Sequence, residues 1–174
     1  FTVDQNQSMS YGVMTKGSEE LRALIAEWYG DITSENVLVT SGTSEANLLG
    51  HLYMLRNGDE YVVENPCYRQ TLGPAKALGC RIREFKLNEE KDWSLDLDCL
   101  SEIVAKETKA IFLDNPNNPT GIPLTEGEMR GICEIAKDVG AYVFCDNALR
   151  GSELDRKPSP TPLHYYEKGV VTGS

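Results

Sequence analysis

Short apolar runs alternate with stretches of helical periodicity along almost the whole chain, and this alternation constrains the fold more than any other feature of the sequence. The runs are rich in valine, isoleucine and aromatic residues, which is typical of strands buried on both faces. Strands are predicted at residues 37–39, 61–63, 81–86, 110–113, 142–144 and 170–171. Strand followed by helix, repeated, favours a mostly parallel sheet covered on both sides, a three-layer α/β/α fold.

Helices are predicted between the strands. Their ranges are 19–29, 44–56, 68–78, 97–105 and 126–139. The last has the clearest signals, because Thr125 and Glu128 form a capping box, one apolar stripe runs along it and a glycine follows it. In the first helix Leu21, Leu24, Ile25 and Trp28 share one face, a spacing typical of residues that face a core.

Charge and residue counts exclude several classes of protein. Lys and Arg total 17 and Asp and Glu total 27, so the net charge is −10 and nucleic-acid backbones are repelled. No apolar run approaches the ~18 residues that a membrane span needs. The five cysteines and two histidines are scattered without metal-ligand spacing, so free thiols in a reducing compartment and no metal site are expected. We expect a cytoplasmic protein, with organellar import as an open alternative.

Ser41, Gly42, Thr43 and Ser44 follow the first predicted strand and open a helix. The free backbone N–H groups and the positive end of the helix dipole suit such a turn to phosphate. Serine and threonine also cap helices for purely structural reasons, so the turn alone does not identify a ligand. The glycine spacings of a dinucleotide-binding loop and of a Walker loop are absent, and a nucleotide is therefore not the expected ligand.

Residues 115–121 read Asn-Pro-Asn-Asn-Pro-Thr-Gly and come directly after a predicted strand. This run resembles the Asn-Pro-x-Asn-Pro-Thr-Gly signature of fold-type I pyridoxal-5'-phosphate (PLP) enzymes in the class I/II aminotransferase group. A rigid turn could use proline and glycine in the same way. Seven consecutive matching residues after a strand favour the resemblance over a chance turn.

The resemblance extends over nearly the whole chain and implies a role for each matching residue. The residues that match phosphate-binding positions are Ser41, Gly42, Thr43, Ser44 and Ser174. The resemblance also implies two regions, an N-terminal segment with the first helix at residues 1–30 and part of a PLP-binding large domain at 31–174.

Three further residues match positions around the cofactor ring, and they are the candidate catalytic residues. Tyr68 matches the aromatic residue that stacks on the ring, Asn118 the donor to the ring hydroxyl, and Asp146 the partner of the pyridine nitrogen. Tyr11 matches a tyrosine that reaches the cofactor phosphate of the partner subunit, which implies a homodimer.

The chemistry of PLP supports these assignments independently. The cofactor is an electron sink only while its ring nitrogen is protonated, and a carboxylate at the end of a buried strand, such as Asp146, favours that charged form. Tyr68 offers a flat face for stacking. Alone, each residue would be an ordinary turn or packing residue, so the assignment depends on their conjunction.

Two features depart from the family pattern. Leu149 stands three residues after Asp146, where the family commonly has a tyrosine that hydrogen-bonds the ring hydroxyl. One such bond is worth about 1.5–3 kcal/mol, and without it Asn118 is the main donor. The Schiff-base lysine and the carboxylate-binding arginine are expected beyond Ser174, so the chain is interpreted as a fragment that is inactive alone.

The sequence predicts a PLP-dependent aminotransferase that acts on an amino acid and a 2-oxo acid. Because of Leu149, another PLP reaction on the same fold stays open, such as arginine oxidation or hydroxylation, β-elimination or decarboxylation. A non-catalytic α/β module that binds an anion or a partner protein is the alternative from a different class.

Overall fold

A computed structural model describes residues 15–154 and 157–174 of the chain. Its residues divide into two compact units, Phe1–Thr40 and Ser41–Ser174. The sequence placed a domain boundary ten residues earlier, between residues 30 and 31, and that assignment stays a prediction. Tyr11 lies outside the described residues.

Within the first unit, helix α1 spans Glu19–Tyr29, as predicted, and the Ser18 hydroxyl caps it by accepting from the Leu21 N–H. The prediction that Leu21, Leu24, Ile25 and Trp28 face a core is wrong for three of these residues. Leu21, Leu24 and Trp28 are exposed, and Ile25 is half-buried. The buried face of α1 is instead occupied by Arg22, which forms an ion pair with Glu19.

The strand predicted at residues 37–39 is also absent. Among backbone groups, the Val39 N–H donates to the Lys16 carbonyl over 2.9 Å, which is one hydrogen bond rather than a ladder. Leu38 is 56% exposed, so the run does not have the two buried faces that a central strand requires. An apolar triplet forms a strand only where a neighbouring strand pairs with it.

The second unit contains one parallel sheet with the strand order β2-β1-β3-β4-β5. The strands are β1 at Glu60–Asn65, β2 at Arg81–Lys86, β3 at Thr108–Asp114, β4 at Tyr142–Asp146 and β5 at Gly169–Thr172. In the register, Asp114 on β3 lies opposite Asp146 on β4, which lies opposite Thr172 on β5. The carboxyl ends of the strands therefore meet at one edge.

Helices cover both faces of this sheet, which confirms the predicted three-layer α/β/α architecture. The helices are α2 at Thr43–Met54, α3 at Leu72–Ala77, α4 at Leu97–Ile103 and α5 at Glu126–Val139. The capping box of Thr125 and Glu128 is present, and Gly140 ends α5 in the left-handed conformation. The helix predicted over 68–78 is split, because Pro74 lacks an N–H donor and is tolerated only in the first turn of α3.

Alternate residues of the strands pack on opposite faces of the sheet. Val62 and Ile111 belong to the core under α4 and α5, whereas Phe112 and Phe144 belong to the core under α2 and α3. Gly50 of α2 lies over Phe144, and a Cβ atom there would come within 2.6 Å of the ring. This close approach packs the middle of α2 directly on β4. In the described residues, no helix is long and apolar enough to span a membrane.

Candidate active site

A cavity of about 360 Å³ opens at the carboxyl edge of the sheet. Its volume lies in the range of pockets that hold small molecules, about 300–1,000 Å³. Six residues predicted for the site line it, namely Thr43, Ser44, Tyr68, Asn118, Asp146 and Ser174. Ser41 and Gly42 directly precede α2 and are not among the lining residues, and Tyr11 lies outside the described part.

Asp146 is held by neutral donors at the end of β4. It is 7% exposed, and its carboxylate accepts from the Asn47 side-chain amide over 2.6 Å and from the Ala148 N–H over 2.8 Å. The Asn47 oxygen in turn accepts from the Thr172 hydroxyl over 2.6 Å, which fixes the orientation of the amide. Within the described chain, no lysine or arginine lines the cavity, so a cationic group of a ligand would complete the charge balance of Asp146.

The start of α2 provides hydrogen-bond donors to the same cavity. Gly42 has a φ of 92°, a backbone conformation that L side chains rarely adopt, and it directly precedes the helix. The buried Thr43 hydroxyl oxygen has no hydrogen-bond partner in the described structure, so its hydrogen-bonding capacity is unused. Ser44 and Ser174 line the cavity with exposed hydroxyls. A helix start with one unpaired hydroxyl and exposed hydroxyls beside it suits the phosphate of a ligand.

The loop at residues 115–121 places only one of its asparagines in the cavity. Asn115 is buried and donates to the Pro160 carbonyl over 2.8 Å. Asn117 is buried and donates to the Glu64 carboxyl group over 2.9 Å. Both are therefore structural, and they leave Asn118 exposed at the cavity wall.

Tyr68 lines the cavity, and the residue is 40% exposed. Its backbone N–H donates to Asp114 Oδ2 over 2.7 Å, which fixes the backbone below the ring. The exposed ring is accessible to a flat ligand. Leu149, which is 42% exposed, also lines the cavity and contributes no hydrogen-bond donor there.

Two more carboxyl groups are buried along the same edge of the sheet. Burial and the nearby Asp146 raise the pKa of Asp114 to about 7, although the Tyr68 N–H opposes the shift. Burial and the nearby Asp114 raise the pKa of Glu64 well above its usual range. Glu64 accepts from the Asp114 N–H over 2.6 Å and so connects the ends of β1 and β3.

His51 lies on the buried face of α2. It is fully buried, its Nδ1 lies 2.6 Å from the Asn47 carbonyl oxygen, and its Nε2 lies 3.0 Å from the Tyr61 hydroxyl. Burial lowers the pKa of this imidazole and favours its neutral form. These contacts give His51 a structural role in the core.

Sequence reasoning missed three polar residues that line the cavity, namely Asn47, Gln70 and Asp114. Asn47 lies four residues after Thr43 and so on the same face of α2, which is a signal that helical periodicity could have provided. Asp114 ends a buried strand, as Asp146 does, and the rule that ligands bind beyond strand ends applies to both.

Comparison with known proteins agrees with this geometry. Residues 3–162 match the family model described as "Aminotransferase class I and II". The chain belongs to this family. Membership of this family agrees with the parallel sheet and with the sequence of the loop at residues 115–121.

Individual relatives are similar in sequence and in fold. An aspartate aminotransferase of Pyrococcus horikoshii is 33% identical over 75% of this chain and 34% of its own length. Capreomycidine synthase of Streptomyces vinaceus is 30% identical over 91% of this chain and 41% of its own length. The crystal structure of a PLP-dependent aminotransferase from Streptococcus suis matches 98% of this chain and 45% of its own, with 31% identity and a TM-score of 0.89. The chain thus spans less than half of each of these relatives.

Proposed function

We propose that this chain is the cofactor-binding part of a PLP-dependent aminotransferase that transfers an amino group between an amino acid and a 2-oxo acid. The observation that carries the proposal is the convergence of Tyr68, Asn118, Asp146 and the start of α2 on one cavity. Membership of the class I and II aminotransferases supports it. A cytoplasmic location and a homodimer to which Tyr11 contributes belong to the same proposal.

The unpaired Thr43 hydroxyl and the unbalanced charge of Asp146 fit such a cofactor. When bound, PLP would supply an electron sink for the bonds at the substrate Cα. Asp146 would hold the ring nitrogen in its protonated form, and Tyr68 would stack on the ring. Asn118 would donate to the ring hydroxyl.

Phosphate binding would use the first turn of α2 and the end of β5. The proposed residues are Ser41, Gly42, Thr43, Ser44 and Ser174. Asn47 lies about 6 Å along the helix axis from Thr43, since four residues rise by 1.5 Å each. This spacing separates the proposed phosphate contacts from the contact at Asp146.

Equilibrium dialysis of the chain against PLP and against pyridoxal tests the proposal. We expect PLP to bind and pyridoxal, which lacks the phosphate, to bind at least about tenfold more weakly, because charge-assisted hydrogen bonds to the phosphate are lost. No binding of PLP, or equal binding of the two, would contradict the site. For the whole protein, transfer of ¹⁵N from an amino acid to a 2-oxo acid without oxygen uptake is the expected activity.

A second candidate function is a different PLP reaction, and Leu149 is the observation that favours it. Its side chain lines the cavity at a position where the family commonly has a tyrosine. Capreomycidine synthase, a relative whose name denotes a synthase rather than an aminotransferase, is similar over 91% of this chain. Oxygen uptake, or loss of the amino group without a 2-oxo acid acceptor, would favour this candidate.

Leu149→Tyr tests what this position contributes. We expect the added phenol to shift the midpoint of the pH titration of the bound cofactor's absorption by about one unit or more, because one hydrogen bond to the ring hydroxyl is worth about 1.5–3 kcal/mol. Leu149→Phe is the matched control, since it adds the ring without the hydroxyl. Equal midpoints in the two variants would mean that a hydroxyl at position 149 does not hydrogen-bond the ring hydroxyl.

A further inference from the structure

Two buried carboxyl groups lie side by side at the edge of the cavity. Asp114 and Asp146 end β3 and β4 and are opposite each other in the register. Neighbouring strands are about 4.8 Å apart, and the two residues are only 4% and 7% exposed. At this separation and burial, one negative charge disfavours a second, so the pair favours a state with a single charge.

Hydrogen bonding identifies which carboxyl group carries the charge. The two oxygens of Asp146 accept from the Asn47 amide and from the Ala148 N–H, as a carboxylate does. Asp114 Oδ2 accepts from the Tyr68 N–H, whereas the buried Asp114 Oδ1 has no partner in the described part of the chain. A proton on Oδ1 is compatible with these contacts, because Oδ2 is the acceptor.

The surroundings of Asp114 contain no described cation that would stabilise a second charge. The titratable groups that interact with it or share a cavity with it are Tyr61, Glu64, Cys67, Tyr68, Glu128, Cys145 and Asp146. Each of these groups is neutral when protonated and negative when deprotonated, so none of them is a cation. Burial also raises the pKa of Asp114 to about 7, in agreement with this geometry.

We propose that Asp114 is a proton-exchanging carboxyl group of the cavity, a role that rests on the proposed function. Asp114 is neutral while Asp146 is the charged member of the pair, and it ionises when a ring protonated at its nitrogen binds beside Asp146. In this step the O–H bond at Asp114 Oδ1 breaks and the proton passes to solvent. No electrons are exchanged. The ring cation balances the charge of Asp146 and so removes the negative charge that disfavours ionisation of Asp114.

The first test needs no cofactor. The side-chain ¹³C carboxyl signal of Asp114, assigned through its backbone, is followed by NMR in the chain alone. We expect a titration midpoint near 7. A midpoint below pH 5 would overturn the proposal whether or not PLP binds.

The second test measures protons released when PLP binds, by calorimetry in buffers of different ionisation enthalpy. If binding lowers the pKa of Asp114 by about two units, the original chain releases about 0.8 proton more than Asp114→Asn at pH 6, and about half a proton more at pH 7. An analogue with carbon in place of the ring nitrogen is the matched control and should abolish this difference.

The two proposals fail in different ways. Absence of PLP binding to the original chain would contradict the proposed function and remove the release step with it. Binding of PLP with equal proton release by the original chain and by Asp114→Asn would overturn the role of Asp114 alone. If Asp114→Asn does not fold, the NMR midpoint of the original chain decides.

Discussion

The cavity has an acidic side, formed by Asp114 and Asp146, and a hydroxyl side, formed by Thr43, Ser44 and Ser174. On the acidic side Asp146 is buried and its hydrogen bonds are already made within the protein. On the hydroxyl side the Thr43 oxygen has no partner in the described structure and both serines are exposed. Substitutions on the acidic side should therefore change both folding and binding, whereas those on the hydroxyl side should change binding alone.

The largest effect is expected at Asp146. Asp146→Asn keeps the shape of the side chain and removes its charge, so PLP should bind about 30–150-fold more weakly, since a charged hydrogen bond is worth about 2–3 kcal/mol. Equilibrium dialysis measures the change. Asp138→Asn, at an exposed position of α5, is the control. A loss of PLP affinity of less than about threefold would contradict a role of Asp146 in binding.

Asp114→Asn should make stability depend differently on pH. The raised pKa means that the folded chain keeps its proton between about pH 4 and pH 7 while the unfolded chain loses it, so the stability contributed by Asp114 falls as the pH rises through this window. The variant does not titrate. Relative to the original chain, its free energy of unfolding should rise by about 2–3 kcal/mol from pH 5 to pH 8.

Urea unfolding at the two pH values measures this difference. Asp138→Asn is again the control, because its carboxylate is exposed to solvent. The free energies of unfolding of the original chain and of Asp114→Asn would then be compared. If they differ by the same amount at pH 5 and at pH 8, Asp114 is charged in the folded chain at both pH values, which would contradict the prediction.

Asn47→Leu should destabilise the fold even without a ligand. The substitution removes the amide that donates to Asp146 and leaves a buried carboxylate oxygen unpaired, which costs about 1–3 kcal/mol. Thermal unfolding measures the loss. The control is Leu48→Asn, an exposed position next to it on α2, which should change stability by less than about 0.5 kcal/mol. Equal effects of the two substitutions would mean that the contact with Asp146 adds nothing.

The smallest effect is expected on the hydroxyl side. Thr43→Val removes a hydroxyl that has no partner in the described structure, so the melting temperature should stay unchanged. PLP should bind about 3–10-fold more weakly, because one hydrogen bond is worth about 0.5–1.5 kcal/mol. If Thr43→Val lowered stability as much as Asn47→Leu, the contrast between the two sides would not hold.

Local patterns predicted the regular elements of the second unit well. The residues of β2 and α5 match the predicted ranges, because a β-rich run and a capped amphipathic stripe determine structure within a few neighbouring residues. The run at 37–39 failed, since a strand also needs a neighbour that the sequence does not reveal. Pro74 could have indicated that the helix predicted over 68–78 begins late.

The candidate site was predictable where residues match a motif and not where they act through other side chains. Tyr68, Asn118 and Asp146 follow strands and line the cavity. Asn47 is distant from Asp146 in sequence, and its role arises only when Gly50 lets α2 approach Phe144 closely. The charge state of Asp114 likewise depends on burial between neighbouring strands, which no single segment specifies.

The central claim is that Asp146 holds a protonated ring nitrogen in this cavity. The most direct measurement is the ¹⁵N NMR signal of PLP labelled at its ring nitrogen, bound to the chain and to Asp146→Asn at pH 8. We predict the chemical shift of a protonated pyridine in the original chain and that of an unprotonated one in the variant. The same shift in both proteins would contradict the claim.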